Sequence, residues 1–146
     1  MRIALHIVDR TLYTWSKEYW SELIGDLVKE GHDIFIFSDE KHVNIAIEHE
    51  KVRKCLEYNE DEIDKVISQC DLFIGVPLRF SDIAKKHNLK IINLLGSTTK
   101  GEGVVSTAAC VGCIDKTGNE IDCVFHDELC MWLITPTDVK RKIDSL

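Results

Sequence analysis

Four short, nearly continuous apolar runs restrict this chain more than any other feature. Arg2–Val8, Asp33–Ser38, Leu72–Val76 and Ile91–Leu95 carry too little polar alternation for a strand with one wet face. Such runs suit parallel strands covered on both sides. The stretch between the first two reads as a helix. Ser16 can cap it, and Tyr19, Trp20, Leu23, Ile24, Leu27 and Val28 recur at three and four along one face, until Gly31 stops it near Glu30. The first 38 residues therefore form a strand–helix–strand unit, right-handed by rule.

The pattern continues downstream. Val43 to about His49 is expected to form a short helix, and Val52–Leu56 a weak strand of mixed polarity. Asn59 caps a helix to about Gln69, with Ile63, Val66 and Ile67 inward and acidic residues in the first turn, where the helix dipole favours them. Ser81–His87 reads as a short helix. Thr135, Pro136 and Asp138 supply a cap, a first-turn proline and a first-turn acid for a terminal helix. The expected fold is α/β: one Rossmann-like domain over residues 1–146, an open, mostly parallel sheet with helices on both faces. Ligands of such sheets sit at the carboxyl ends of the strands. The loops there are Asp9–Thr14, Ser38–Lys41, Val76–Ser81 and Gly96–Gly103; the dinucleotide fingerprint G-x-G-x-x-G is absent.

Composition narrows the partners. The chain has 146 residues, enough for one domain with a real core, and a formal net charge of -7. An acidic chain argues against nucleic acid as the main partner. No apolar run approaches the ~20 residues of a membrane span. No secretory segment is recognised at the start, so the expectation is a cytoplasmic protein; Met1 directly before a strand suggests a designed start, and a fragment of a longer chain stays open.

Four of the six cysteines fall within 21 residues, as Cys110, Cys113, Cys123 and Cys130 in a C-x2-C-x9-C-x6-C spacing. A C-x2-C turn sets two thiolates on one side of an ion, and a returning segment supplies the others. Between them, Asp115–Glu120 holds Gly118 and Asn119, residues suited to a reversal. The expectation is a metal knuckle at about residues 107–134 around one structural iron or zinc ion, its four protein ligands closing the coordination. His126 is a competing ligand. The same sulfurs could form two disulfides, which a reducing compartment disfavours, or stand as unrelated buried thiols.

Cys70–Gly75, Asp82–Ala84 and Ile91–Thr98 follow in a set order, with Trp15, Tyr19, Trp20 and Leu23 before them and the ending Cys130–Val139 after. This order of pieces resembles the donor half of glycosyltransferase family 9, the heptosyltransferases. The subgroup it resembles most is the autotransporter heptosyltransferases, whose four cysteines hold a metal, iron. The resemblance covers nearly all of this chain but only about half of a family member. It implies a nucleotide-sugar-binding domain for an ADP-heptose-like ligand, without the half that carries the acceptor and usually the catalytic base. Such a domain would act with a separate protein or as a homo-oligomer, and would not transfer sugar alone.

Departures from the family pattern sit at the diphosphate. The family's Ser-Gly-Pro loop and following His are matched here by Leu78–Asp82, with Arg79 for the glycine and Asp82 for the histidine, and Tyr13 and Thr14 stand where a basic residue precedes the tryptophan. Arg79 could pair with a phosphate as a fork, or simply face solvent. Ser81, Ser97, Thr98 and Thr99 could donate hydrogen bonds at the same rim, and Asp9 could face a ligand; each has an ordinary role in a cap, loop or turn. His6 reads as a hydrogen-bonded core or strand-end group. Trp15 and Trp20 read as core, and Trp132 as packing for the knuckle. The competing function is a non-catalytic, metal-stabilised module that binds a protein partner or sequesters a nucleotide. A redox role for Cys110 and Cys113 is weaker, because more cysteines stand nearby.

Overall fold

In the computed structural model, six strands form one sheet in the order β3-β2-β1-β4-β5-β6: β1 Arg2–His6, β2 Asp33–Phe37, β3 Val52–Lys54, β4 Leu72–Gly75, β5 Lys90–Leu95 and β6 Gly103–Val105. The structure describes residues 1–8, 14–95, 103–105 and 129–146, with backbone alone at 103, 105, 129 and 130. Every pairing among the described strands is parallel, and β1 lies between β2 (Ile3 beside Ile34) and β4 (Ile3 beside Leu72).

Side-chain alternation along β1 sorts the core into two layers. Ile3 and Leu5 point to the face covered by α1 (Lys17–Lys29) and α5 (Pro136–Asp144), where they meet Trp20, Leu23, Leu27, Val139 and Ile143. Ala4 points to the other face, where α2 (Glu60–Ser68) and α3 (Arg79–Lys86) bring Ile63, Ile67, Phe80 and Ala84 against Phe37 and Phe73. Helices thus cover both faces, and each large apolar side chain fully buried this way contributes roughly 1.5–3 kcal/mol.

The helix ends follow their local chemistry. The Ser16 hydroxyl accepts from the Tyr19 N–H to open α1, and Gly31 beyond its end takes φ +86. Asn59 with Glu62, and Thr135 with Asp138, form reciprocal capping boxes at α2 and α5. A one-turn helix, α4 (Leu129–Trp132), leads into α5. The Trp15 indole N–H donates to the Ile134 carbonyl at 2.7 Å, fixing this late segment to the entry of α1.

Two local expectations are corrected. Residues 43–49 form no helix. Ile45 is buried, while Val43 and Ile47 pack on the same core. Their spacing is two, not three to four, and an extended chain with β-branched residues satisfies it. α3 begins at Arg79, two residues before Ser81. Burial of Phe80 fixes the entry to the helix, and its cap position, Leu78, makes no side-chain hydrogen bond. Of the expected cysteine knuckle, residues 107–128 lie outside the described residues; residues 129–134 are described, with Cys130 as backbone alone in α4.

Candidate functional site

The chain leaves β1 for β2 and β3 on one side, then returns to lay β4 and β5 on the other. Where strand order reverses, the loops from adjacent carboxyl ends diverge to opposite faces and open a crevice. Here that point lies between β1 and β4.

His6, the last residue of β1, stands at the base of this crevice. It is 1 % exposed, its ring meets the Phe80 ring edge-on at 4.4 Å between centroids, and neither ring nitrogen has a hydrogen-bond partner among the described residues. The sequence-based expectation of a hydrogen-bonded histidine is therefore corrected. His6 does end a strand, but the face it shares with Phe37 and Phe80 brings no hydrogen-bonding group within reach of its ring among the described residues. Buried polar groups without partners are rare in folded proteins. Burial lowers the imidazole to about 4, against the pull of the Asp39 carboxylate and aided by the Arg79 charge. The ring is thus neutral at neutral pH.

A recess of about 50 Å³ opens beside it, bordered by His6, Ile7, Val8, Ser38, Asp39 and Leu78. A groove of about 250 Å³, with Trp15, Trp20 and Ile45 in its wall, shares the Ser38 and Glu40 border. Another of about 230 Å³ runs past Asp39, Lys41, Tyr58 and Arg79. The segment Ser38–Glu40 after β2 divides the three, and the Ser38 hydroxyl accepts from the Glu40 N–H at 3.1 Å to turn it.

Arg79 closes one end of this array. Its Nε and Nη2 reach Asp39 Oδ1 at 3.0 and 2.9 Å, its Nη1 pairs with Glu60, and its guanidinium carbon lies 4.4 Å from the Phe80 ring centroid. The side chain links the β2 loop, the start of α2 and the start of α3, and it is 45 % exposed. It faces the crevice with its charge matched by two carboxylates. The Ser81 hydroxyl, expected at the rim, is instead fully buried and donates to Asn93 Oδ1 at 3.3 Å.

The structure thus gathers Arg79 with His6, Asp39 and Glu40, of which sequence reasoning had named only Arg79 as a site residue. An acid shortly after the second strand is where Rossmann sheets place a ribose partner, a signal that was available for Asp39 and Glu40. Nothing in the sequence paired Arg79 with Glu60, 19 residues away. Asp9, Ser97, Thr98, Thr99, Cys110, Cys113, Cys123 and His126 lie outside the described residues, and the side chain of Cys130 does too. No metal-binding cluster occurs among the described residues, and no helix among them is long and apolar enough to cross a membrane.

The sequence matches no protein-family model and no curated protein. Solved structures do match its fold. The iron-containing dodecameric glycosyltransferase TibC from enterotoxigenic E. coli superposes with a TM-score of 0.79 at 18 % identity, over 99 % of this chain and 45 % of TibC. TibC has also been solved in complex with ADP-D-beta-D-heptose. The E. coli heptosyltransferase WaaC with ADP gives 0.69 at 20 % identity, over 99 % of this chain and 43 % of WaaC. E. coli ADP-heptose lps heptosyltransferase II gives 0.70 at 16 % identity, over 99 % and 45 %. The chain resembles heptosyltransferases in fold and spans less than half the length of each.

Proposed function

We propose that this chain binds a nucleotide-linked sugar of the ADP-heptose type along the carboxyl edge of its sheet, as a heptosyltransferase-like donor domain. The observation that carries this reading is the fold likeness over 99 % of the chain to proteins solved with ADP or ADP-heptose, with a crevice at the strand-order reversal. In this reading the carboxylates of Asp39 and Glu40 accept from ribose hydroxyls. Arg79 exchanges one carboxylate partner for a diphosphate oxygen, its fork suiting either acceptor. Asp9, Ser97, Thr98 and Thr99 add hydrogen-bonding groups from the neighbouring loops. Sugar transfer would draw its acceptor site from a separate protein or a second copy of the chain, because bringing donor and acceptor together is most of the catalytic task.

Titration calorimetry of the full chain with ADP-heptose and with ADP tests this. Saturable heat at up to millimolar ligand is expected, with Arg79→Ala weakening binding about tenfold or more, the scale of a lost charge-assisted pair. No heat with either ligand would overturn the reading.

The four late cysteines are proposed to hold one iron or zinc ion as Cys110, Cys113, Cys123 and Cys130. Support comes from the donor set itself: four soft thiolates, closely spaced, fit a closed tetrahedral site whose ion stabilises the fold around it. Elemental analysis should find about one metal ion per chain, falling sharply in Cys110→Ser. A metal-free wild type would sink the assignment.

A second reading, a non-catalytic module that binds a protein partner or sequesters a nucleotide, rests on Arg79. Its charge is already satisfied by Asp39 and Glu60. Nucleotide binding indifferent to Arg79→Ala would favour it.

A further inference from the structure

His6 is the crevice's unexplained polar group. It is almost fully buried, both nitrogens lack partners among the described residues, and it borders the 50 Å³ recess between β1 and the segment after β2. An unsatisfied buried donor or acceptor costs about 1–3 kcal/mol, so its retention here calls for a compensating partner. Room for that partner is small. The recess has room for at least a water-sized polar group. The partner is also uncharged. Asp39 and Glu40 on the recess wall repel an anion, and Arg79, the nearby cation, is matched by Asp39 and Glu60.

We propose that His6 is a ligand-contacting residue, its neutral imidazole hydrogen-bonding a hydroxyl on the sugar part of the bound molecule. This rests on the nucleotide-sugar reading above. A hydroxyl, itself donor and acceptor, can meet either ring nitrogen, accepting from the N–H or donating to the bare nitrogen, and so satisfies one of the two. The His6 ring is 1 % exposed, so the hydroxyl reaches it through the recess between Ser38–Asp39 and Leu78. That segment is tied across the crevice by the exposed Arg79–Asp39 pair, a weak tether.

The test uses the full chain, with long-range proton–nitrogen NMR on the histidine rings and His6→Gln to assign the His6 signals. Saturating ADP-heptose should move the His6 ring nitrogen resonances more than saturating ADP does. His6→Phe should weaken ADP-heptose about tenfold more than it weakens ADP, and His6→Gln, which keeps a donor and an acceptor, should recover part of the loss. Ring resonances unmoved by saturating ADP-heptose, or His6→Phe binding it like wild type, would overturn the proposal. Should His6→Phe fail to fold, the wild-type ring signals decide alone. A wild type that binds neither ligand sinks the nucleotide-sugar reading and this proposal together. A wild type that binds with His6 silent sinks this proposal alone.

Discussion

A Cβ placed on Gly75 would lie 2.8 Å from the Cβ of His6 and 3.0 Å from the Phe73 ring. The two residues stand one step beyond the Leu5–Ile74 pair of β1 and β4, at the strand ends that flank the crevice. The missing side chain of Gly75 leaves the room that the Cβ of His6 and the Phe73 ring occupy. Gly75→Ala should therefore destabilise the fold by about 1–3 kcal/mol through overpacking, measured by urea unfolding. Pairing it with His6→Gly should recover part of that loss. Strict additivity would show that the crowding arises at Phe73 instead.

Acid stability should carry the signature of the same histidine. The folded-state pKa of His6, about 4, lies below its ordinary 6.5. As pH falls below 6.5 the unfolded chain takes the proton first, so stability is full above 6.5 and declines towards 4. Below 4 both states hold the proton and the His6 contribution stops changing. The total loss is up to about 3 kcal/mol, at 1.36 kcal/mol per pH unit. Denaturant melts at pH 7 and pH 4.5 should show a larger drop for wild type than for His6→Gln; equal drops would contradict the burial of a neutral ring.

Trp15 ties the end of the chain to its beginning. Trp15→Phe keeps an aromatic ring beside Trp20 and Tyr19 but leaves the Ile134 carbonyl without its donor. A loss of about 1–3 kcal/mol is expected, with faster amide exchange in α5, read by native-state hydrogen exchange. Unchanged exchange there would mean that the packing of Val139 and Ile143 alone holds the helix.

Cys55 and Cys70 should be inert in the folded protein. Burial pushes their thiols up to about 11 and about 12, and only the thiolate reacts readily. Both should resist a thiol-specific chromophore at pH 8 until the chain is unfolded. Cys55→Ser and Cys70→Ser, each tested singly, should leave the native thiol count unchanged. A fall in that count would place the substituted sulfur at an accessible position.

How much was legible depended on the range of the interaction. The apolar runs of β1, β2, β4 and β5 and the caps at Ser16, Asn59 and Thr135 were readable because each is decided within a few residues. The segment at residues 43–49 misled because its alternation is short and was read at the wrong period, while what settles it is the core beneath Ile45. Ser81 looked like a cap because Ser is a good one, but the burial of Phe80 beside it started the helix earlier and turned the hydroxyl towards Asn93.

By itself the sequence determined a parallel α/β sheet with helices on both faces, because hydrophobic period and capping chemistry are local properties that survive in one dimension. It also set Val76–Ser81, the segment that holds Arg79, at the carboxyl end of β4. Only the tertiary structure decided that Arg79 is held by Asp39 and Glu60, and that the ring nitrogens of His6 have no hydrogen-bond partner among the described residues. Both facts follow from which segments, 19 to 74 positions apart in the chain, the sheet order brings together. Partnership and desolvation belong to the assembled neighbourhood, and no single stretch of chain contains it.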